Sequence, residues 1–245
     1  MKHNWPIVQL NEVGSTNIYA NSLLAENKTS SETVISAYSQ NQGRGQLGTF
    51  WESEPGKNLT FSLILFPKYL PVEKLFALTQ AVSIAIVKFL QEHNIAARVK
   101  WPNDIYVSNN KIAGILIENA ILGKSLSHCV IGIGLNVNQG NFGEYLPKAV
   151  SMQMLSNKDF LLSELLNELL THIQITIEQI KRQEFEKLKA DYMLKLYRNN
   201  EWHSFSTGDF TFTGKIINVK ETGELVILSE NGKTSDYLFK EIVFM

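Results

Sequence analysis

The sequence predicts an α+β fold, in which a mixed β-sheet is packed with helices and a small β-barrel follows at the C-terminus. Between residues 97 and 137, short Val- and Ile-rich segments are separated by turn residues without an intervening helix, which favours antiparallel or mixed pairing. A leucine-rich segment from Asp159 to Tyr197 has helical periodicity. After Asn199, short alternating strands and turn dipeptides recur, as in small barrels. We therefore expect one domain over residues 1–199 and a second over residues 200–245.

The elements expected in the first part of the chain surround a glycine-rich loop. A first helix begins near Ser15, where several residues can cap its N-terminus. Segments Thr33–Tyr38 and Leu59–Phe66 are β-rich and are predicted as strands. The glycines between Asn41 and Gly48 require a loop between those strands. A helix is predicted from Pro71 to His93, because its apolar residues recur at helical spacing.

The second part of the chain predicts a dense strand region, one long helix and the barrel. The expected strands of the first domain are Ala97–Trp101, Ile105–Val107, Ile112–Glu118 and Cys129–Val137. A tight turn at Ser108-Asn109-Asn110 predicts a hairpin between the second and third of them. One helix is expected over Asp159–Tyr197, with leucines every four residues facing the core. The expected strands of the barrel are Glu201–Phe205, Phe210–Val219, Glu224–Leu228 and Thr234–Phe239.

Composition and charge exclude several classes of protein. The 245 residues include 23 basic and 24 acidic side chains, for a net charge of −1, which argues against binding nucleic acid through bulk charge. Cys129 is the single cysteine, so the chain has neither an intrachain disulfide nor a zinc site of several thiolates. The N-terminus has no signal-peptide core, and no apolar run reaches the roughly 18 residues of a membrane span. We expect a soluble, cytoplasmic protein that does not bind membranes.

The glycine-rich loop is the sharpest local signal. Residues 43–48 match the pattern GxGxxG, but no helix opens after them and no acidic residue stands about 20 positions further on, so a dinucleotide fold is excluded. The glycines still allow backbone N–H groups to approach a phosphate or carboxylate. Arg44 adds a cation with a bidentate fork, and Trp51 adds a flat apolar surface. The alternative interpretation is a surface loop with a half-buried tryptophan.

Three further segments place polar residues or glycines near strand ends. Lys100-Trp101-Pro102-Asn103-Asp104 ends a strand in polar groups, although an Asx turn explains the same pattern. Lys111 stands at the mouth of the apolar strand that contains Gly114, so Asp104 and Lys111 flank the predicted hairpin. In Ile131–Asn138, alternating glycines leave one face of a strand without side chains, which suits a flat ligand such as adenine. The alternative interpretation is a twisted or bulged strand.

Taken in order, these motifs together with Ser15-Thr16-Asn17 resemble the biotin–protein ligase family over about residues 12–140. The resemblance implies a class II synthetase-like biotin/lipoate ligase catalytic domain with an SH3-like C-terminal barrel. It also implies an ATP-dependent reaction in two steps. The biotin carboxylate first attacks the α-phosphate of ATP, with Mg²⁺ present, to give biotinyl-5′-AMP. A lysine of a biotin carboxyl carrier protein, or of the biotin-acceptor domain of a carboxylase, then takes the biotinyl group.

The resemblance implies a role for each matching residue. Residues implied to bind biotin are Ser15, Thr16, Asn17, Gln40, Arg44, Gly45, Gln46, Lys111 and Gly114. Residues implied to bind ATP or the adenylate are Arg44, Trp51, Asn103, Lys111 and Asn136, of which Asn103 is also the Mg²⁺ candidate. Residues implied in catalysis are Lys111, Asp104 and Arg44. Lys111 would bridge the biotin carboxylate and the α-phosphate, and Asp104 would receive the proton of the acceptor lysine.

Other functions remain open at this stage. A lipoate–protein ligase would share the fold and the adenylation chemistry, although its expected Arg-Arg and triple-glycine loop is absent from the sequence. A non-catalytic biotin-binding protein is disfavoured, since Lys111 and Asp104 are both present. A scaffold that oligomerises through strand edges would use neither residue. Some members of the family carry an N-terminal DNA-binding domain; here the first motif begins at Ser15, so we expect no DNA binding. A homodimer is compatible with the sequence.

The glycine-rich loop departs from the family pattern Gly-Arg-Gly-Arg-x-Gly-Arg-x-Trp at two cations, which are Gln46 and Thr49 here. Phosphate binding is then expected to depend more on Arg44, Lys111, backbone N–H groups and Mg²⁺. We expect Gln46→Arg to slow the dissociation of biotinyl-5′-AMP, because the added cation attracts the phosphate. The release rate of labelled intermediate from the wild type and the variant measures this, and equal rates would contradict it.

Overall fold

The computed structural model describes residues 3–123, 125–143, 148–208 and 210–245. The strands of the first sheet are β1 Ile7–Val13, β2 Thr33–Gln40, β3 Leu59–Leu65, β4 Ala97–Lys100, β5 Asp104–Val107, β6 Asn110–Leu122 and β7 Ser125–Leu135. The strands of the second sheet are β8 Trp202–Thr207, β9 Phe210–Val219, β10 Leu225–Ser229, β11 Thr234–Tyr237 and β12 Val243–Phe244. The helices are α1 Thr16–Ala25, α2 Phe76–Glu92, α3 Met152–Ser156, α4 Leu162–Lys181 and α5 Phe185–Lys195.

The first sheet is mixed, as the sequence predicts. Its strand order is β1-β2-β3-β7-β6-β5-β4, in which β1 pairs with β2 in parallel and the remaining neighbours pair antiparallel. Every residue of β3 is buried, because this central strand is covered on both faces. Helix α2 packs against the sheet and contributes most of its residues to one large apolar core. The α+β prediction is therefore confirmed.

The hairpin between β5 and β6 is confirmed and contains an irregularity. Val107 pairs with Asn110 across a two-residue turn, in which Ser108 adopts a left-handed φ of 54°. The register shifts one position further in, since Ile105 pairs with Ala113 but Tyr106 pairs with Lys111. This bulge turns Lys111 to the same face of the sheet as Asp104 and Tyr106.

Several elements differ from the sequence prediction. The single helix expected over Asp159–Tyr197 is wrong, because Gln183 adopts a left-handed φ of 58° and separates α4 from α5. The N–H of Glu184 donates to the carbonyl of Gln179 at 3.0 Å, which closes α4. Helix α2 begins later than Pro71, since a short 3-10 turn precedes it. The edge strand β1 and the short helix α3 carry too little apolar periodicity to be predicted.

The second sheet is antiparallel, with the strand order β11-β10-β9-β8-β12. Within the residues that the structure describes, no pairing joins β11 to β12 to close the sheet into a barrel. The second sheet packs on the first, because Phe205 and Ile216 share one apolar core with Trp101. The indole N–H of Trp101 also donates to the carbonyl of Gly223 at 2.8 Å. The division at residues 199 and 200 stays a prediction.

Two observations concern membrane-spanning helices and the chemistry of the single cysteine. None of the helices in the described part of the chain is long and apolar enough to cross a membrane. Cys129 lies buried in β7, where desolvation raises the pKa of its thiol to about 12. The thiol is therefore protonated at neutral pH and acts as a small core residue rather than a nucleophile.

Tyr192 provides a test of how α5 supports the turn before β5. Its fully buried hydroxyl donates to the carbonyl of Pro102 at 3.1 Å. We expect Tyr192→Phe to lower the free energy of unfolding by about 1–3 kcal/mol, because the carbonyl loses its partner. Denaturant unfolding measures this change.

Tyr69→Phe is the matched control. The Tyr69 hydroxyl is buried and has no hydrogen-bond partner among the described residues. Its removal breaks no hydrogen bond within the described structure and should not lower the free energy of unfolding. An equal loss in both variants would show that the Pro102 contact is not the cause.

Candidate functional site

A cavity of about 240 Å³ lies over one face of the first sheet, between the start of α1, the end of β2 and the glycine-rich loop. It brings together all but one of the residues predicted for the site from the sequence. These residues are Ser15, Thr16, Asn17, Gln40, Arg44, Gly45, Gln46, Trp51, Asn103, Asp104, Lys111 and Gly114. Phe239, after β11, also lines the cavity, so the C-terminal part of the chain contributes to it.

The floor of the cavity is set by strand register. Asp104 pairs with Gly114, Gly114 pairs with Gly134, and Gly134 pairs with Thr60, so one row of four residues crosses β5, β6, β7 and β3. Paired residues project to the same face of a sheet. Because two of the four are glycines, the middle of this row has no side chains, and the cavity opens there.

Trp51 lies on the bare part of that row. A β-carbon on Gly134 would clash with Cε2 of the Trp51 indole, and one on Gly114 would lie 3.2 Å from its Cζ3. The alternating glycines suit a flat ligand such as adenine, but in the structure the flat group on this face is the protein's own indole. The backbone N–H of Trp51 donates to the carbonyl of Gly43 at 3.0 Å, which ties the ring to the glycine-rich loop.

Lys111 and Asp104 form an ion pair at one end of the glycine row. The Lys111 Nζ lies 2.6 Å from Asp104 Oδ1 and 5.7 Å from the centre of the Trp51 ring. These two residues flank the β5–β6 hairpin, as the sequence predicts. Tyr106 lies beside them, and burial, followed by the Asp104 charge, raises the pKa of its hydroxyl. Tyr106 therefore stays protonated, with its hydroxyl 3.2 Å from Lys100 Nζ.

The other end of the cavity is a polar network around the start of α1. Gln40 Oε1 accepts from the backbone N–H of Thr16 at 2.8 Å. Ser62 Oγ lies 2.7 Å from Thr16 Oγ1 and 2.6 Å from Asn17 Oδ1. Gly132 leaves the space for Asn17, because a β-carbon there would clash with Asn17 Oδ1. Ser62 was missed from the sequence, although a polar residue inside the apolar strand β3 was a signal for it.

The glycine-rich loop is a short hairpin whose polar side chains face the cavity. The N–H of Gly45 donates to the carbonyl of Thr49 at 2.7 Å, and Arg44 bridges to Phe50. Two buried atoms in the loop, Gln46 Oε1 and Trp51 Nε1, have no hydrogen-bond partner among the described residues. Buried polar atoms without a partner are rare and costly. One acceptor and one donor in the loop are therefore left without a partner among the described residues.

Asn136 is the one predicted site residue that the structure leaves out of the cavity wall. It is 3% exposed, and its amide donates to the carbonyl of Val150 at 3.1 Å. Val150 in turn donates its N–H to the carbonyl of Lys111 at 3.0 Å. Asn136 thus supports the backbone of Lys111. The expectation that it lies near adenine stays a prediction.

Asn103 and Asp104 are the oxygen donors near which a magnesium ion would fit. The Asn103 amide nitrogen donates to the carbonyl of Ile115 at 2.5 Å, so its oxygen is the atom available to a cation. No cluster of three or more His, Cys, Asp or Glu side chains that could hold a metal occurs within the described residues. Mg²⁺ usually binds through one or two protein oxygens together with substrate phosphates, and Asn103 and Asp104 supply two such oxygens at the cavity wall.

Comparison with protein-family models matches residues 11–136 to the Biotin/lipoate A/B protein ligase family. The chain belongs to this family. The matched segment contains every predicted site residue and ends at Asn136.

Individual relatives extend the comparison beyond that segment. A biotin protein ligase from Aquifex aeolicus, solved in complex with biotin and ATP, superposes with a TM-score of 0.81 at 30% identity, and the match covers 98% of both chains. The bifunctional ligase/repressor BirA of Bacillus subtilis is 29% identical over 225 residues, which cover 85% of this chain and 65% of that protein. The biotin–protein ligase of Homo sapiens is 26% identical over 213 residues, 82% of this chain but 29% of the human protein.

Gly134→Ala tests the position of the Trp51 indole on the glycine row. The added methyl group would clash with the indole, so we expect the ring to leave the glycine row. In 5-fluorotryptophan-labelled protein, the fluorine resonance of Trp51, assigned with Trp51→Phe, should shift. Gly140→Ala is the matched control, because its β-carbon would meet only Gln153 Oε1 at 3.5 Å, an ordinary contact. An unmoved resonance in Gly134→Ala would contradict the placement of Trp51.

Proposed function

We propose that the chain is an ATP-dependent biotin–protein ligase, which forms biotinyl-5′-AMP and transfers biotin to a lysine of a carrier protein. The observation that carries the proposal is the ion pair of Lys111 with Asp104, 2.6 Å apart, in a cavity that also holds Arg44. A cation that can bind an anionic reactant and a carboxylate that can accept a proton thus lie side by side. The family, and the relatives named as biotin ligases, support this chemistry.

The polar end of the cavity suits the ureido ring of biotin. A ureido group offers one carbonyl acceptor and two N–H donors. Thr16, Asn17 and Gln40 supply hydroxyl and amide groups of both kinds. Hydrogen bonds hold them in place, between Thr16 and Gln40 and from Ser62 to Asn17. The apolar part of the ligand would then lie between this network and Lys111, beside the Trp51 indole that covers the glycine row.

In the first step, Lys111 and Arg44 would neutralise charge. A carboxylate oxygen of biotin attacks the α-phosphorus of ATP, the bond to the β-phosphate oxygen breaks, and pyrophosphate leaves. Both reactants are anions, so their approach in water is opposed by repulsion. Two fixed cations offset that repulsion and stabilise the charge that develops during transfer. Bound Mg²⁺, with Asn103 and Asp104 as candidate ligands, would neutralise further phosphate charge.

In the second step, Asp104 would take up a proton. The amine of the acceptor lysine attacks the acyl carbon of biotinyl-5′-AMP, an amide bond forms, and AMP leaves with the bonding electron pair. The nitrogen must lose a proton as it forms the amide. When Lys111 turns toward the phosphate, the carboxylate of Asp104 loses its partner and can accept that proton.

The partner and setting follow as further proposals. The acceptor is a biotin carboxyl carrier protein or the biotin-acceptor domain of a carboxylase, and the reaction takes place in the cytoplasm. We infer no role in DNA binding, since the net charge is −1. A homodimer is compatible with the open edge of the first sheet at β1.

Biotin-dependent exchange of pyrophosphate into ATP, with Mg²⁺ present, tests the first step. We expect wild-type protein to catalyse the exchange and Lys111→Ala to lose it by roughly a hundredfold or more, because one charge-stabilising group is removed. Lys68→Ala is the control, since it removes the same charge at an exposed site away from the cavity. Circular dichroism would confirm that each variant is folded.

Three other outcomes have distinct meanings. Exchange with lipoate in place of biotin would keep the mechanism and change the substrate. A loss of exchange in both lysine variants would show that Lys111 has no specific role in the reaction. Absence of exchange with either acid, in folded wild-type protein, would favour a binding protein without catalysis.

A further inference from the structure

We propose that Glu118 is a positioning residue that couples the glycine-rich loop to the polar end of the cavity. Glu118 lies on β6, four residues after Gly114 and on the same face of the strand. One carboxylate oxygen lies 3.3 Å from Arg44 Nη1. The other oxygen accepts from the amide of Asn17 at 2.8 Å and from that of Asn21 at 3.1 Å. One side chain therefore contacts both halves of the site.

The contact with Arg44 joins the loop to the sheet. The hydrogen bonds of Gly45 with Thr49 and of Trp51 with Gly43 form within the loop and stabilise only its hairpin shape. The pair between Arg44 and Glu118 crosses from that hairpin to β6. The two side chains are 47% and 28% exposed, so the pair is partly screened by water and its effect on the loop is modest.

The contact with Asn17 fixes the direction of its amide. A carboxylate can only accept hydrogen bonds, so Asn17 must turn its nitrogen toward Glu118 and its oxygen toward Ser62. The orientation of this amide decides whether a ureido ring bound nearby would meet a hydrogen-bond donor or an acceptor. Glu118 thus determines which way the Asn17 donor and acceptor point at the polar end of the cavity, although Glu118 does not line the cavity itself.

Glu118 also places Arg44 where an anion can reach it. A ligand carboxylate or phosphate would compete with Glu118 for the guanidinium, which is already held beside the cavity. This part of the inference rests on the proposed function, because that function supplies the anion. The coupling of the loop to β6 is a property of the chain alone and can be measured without ligand.

The first test is hydrogen exchange of the loop amides in protein without added ligand. Glu118→Gln removes the charge and should accelerate exchange of the Gly45 and Trp51 amides by about two- to fivefold, the range for one exposed ion pair. Glu12→Gln is the matched control, because Glu12 contacts Asn41 near the same loop but forms no ion pair in the described structure. Equal rates in the wild type and Glu118→Gln would overturn the coupling.

A double-mutant cycle makes the loop test specific. Arg44→Gln removes the same pair from its other side and should accelerate the same amides by a similar factor. If the two residues act through each other, the double variant exchanges no faster than either single variant. Multiplied effects would show that the two residues act independently and would contradict the proposal.

The second test is calorimetric titration with biotin. Glu118→Gln keeps an oxygen that can accept from Asn17, whereas Glu118→Leu removes it. We expect Glu118→Leu to raise the Kd for biotin by about tenfold or more, and Glu118→Gln to raise it less. In pyrophosphate exchange, Glu118→Leu should raise KM for biotin by a larger factor than it lowers kcat, because Glu118 does not touch the reacting atoms and acts on the first step only through Arg44.

These readouts separate two failures. If the wild type binds no biotin, the proposed function fails, and the exchange rates of the loop amides still decide the coupling. If the wild type binds biotin and both Glu118 variants bind it with the same Kd as the wild type, the positioning role of Glu118 toward Asn17 is wrong. A fall in kcat without a change in KM would also overturn it.

Discussion

The register of four neighbouring strands is the constraint on which the site depends. The row from Asp104 through Gly114 and Gly134 to Thr60 places an ion-pair carboxylate at one end of a strip without side chains. Two residues along, Gly132 lies between Leu116 and Ser62 and leaves room for Asn17. A slip of one residue would turn all of these positions to the opposite face. The buried apolar side chains of β3 and β7 prevent that slip, so the core specifies the site.

A local departure from this regular pairing brings Lys111 to the site. In an unbroken ladder, Tyr106 would oppose Ile112, and Lys111 would point to the other face of the sheet. The bulge pairs Tyr106 with Lys111 instead. The backbone of Lys111 is held on its far side by Val150, which Asn136 fixes in turn. Asn136 therefore contributes to the placement of Lys111 from outside the cavity.

The sequence predicted those parts of the molecule that depend on local signals. The hairpin turn at Ser108, the buried strands and the loop glycines each depend on nearby residues, and their positions followed from them. The proximity of Asp104 and Lys111 followed from that hairpin. The contact of Glu118 with Arg44 joins segments distant in sequence, for which one chain carries no local signal. The bulge and the left-handed turn at Gln183 are local departures from regular geometry, which apolar periodicity does not reveal.

The charges of the site form two balanced pairs, and this balance links binding to reactivity. Lys111 is held by Asp104 and Arg44 by Glu118, so each cation has a carboxylate in place before an anion approaches. An incoming carboxylate or phosphate must displace those partners, which weakens binding compared with unpaired cations. In the proposed reaction, the displacement would also free Asp104 at the time when an amine must lose a proton. Pairing each cation with a carboxylate thus lowers affinity for anions in general and, in the proposed mechanism, would couple a proton acceptor to occupancy by the adenylate.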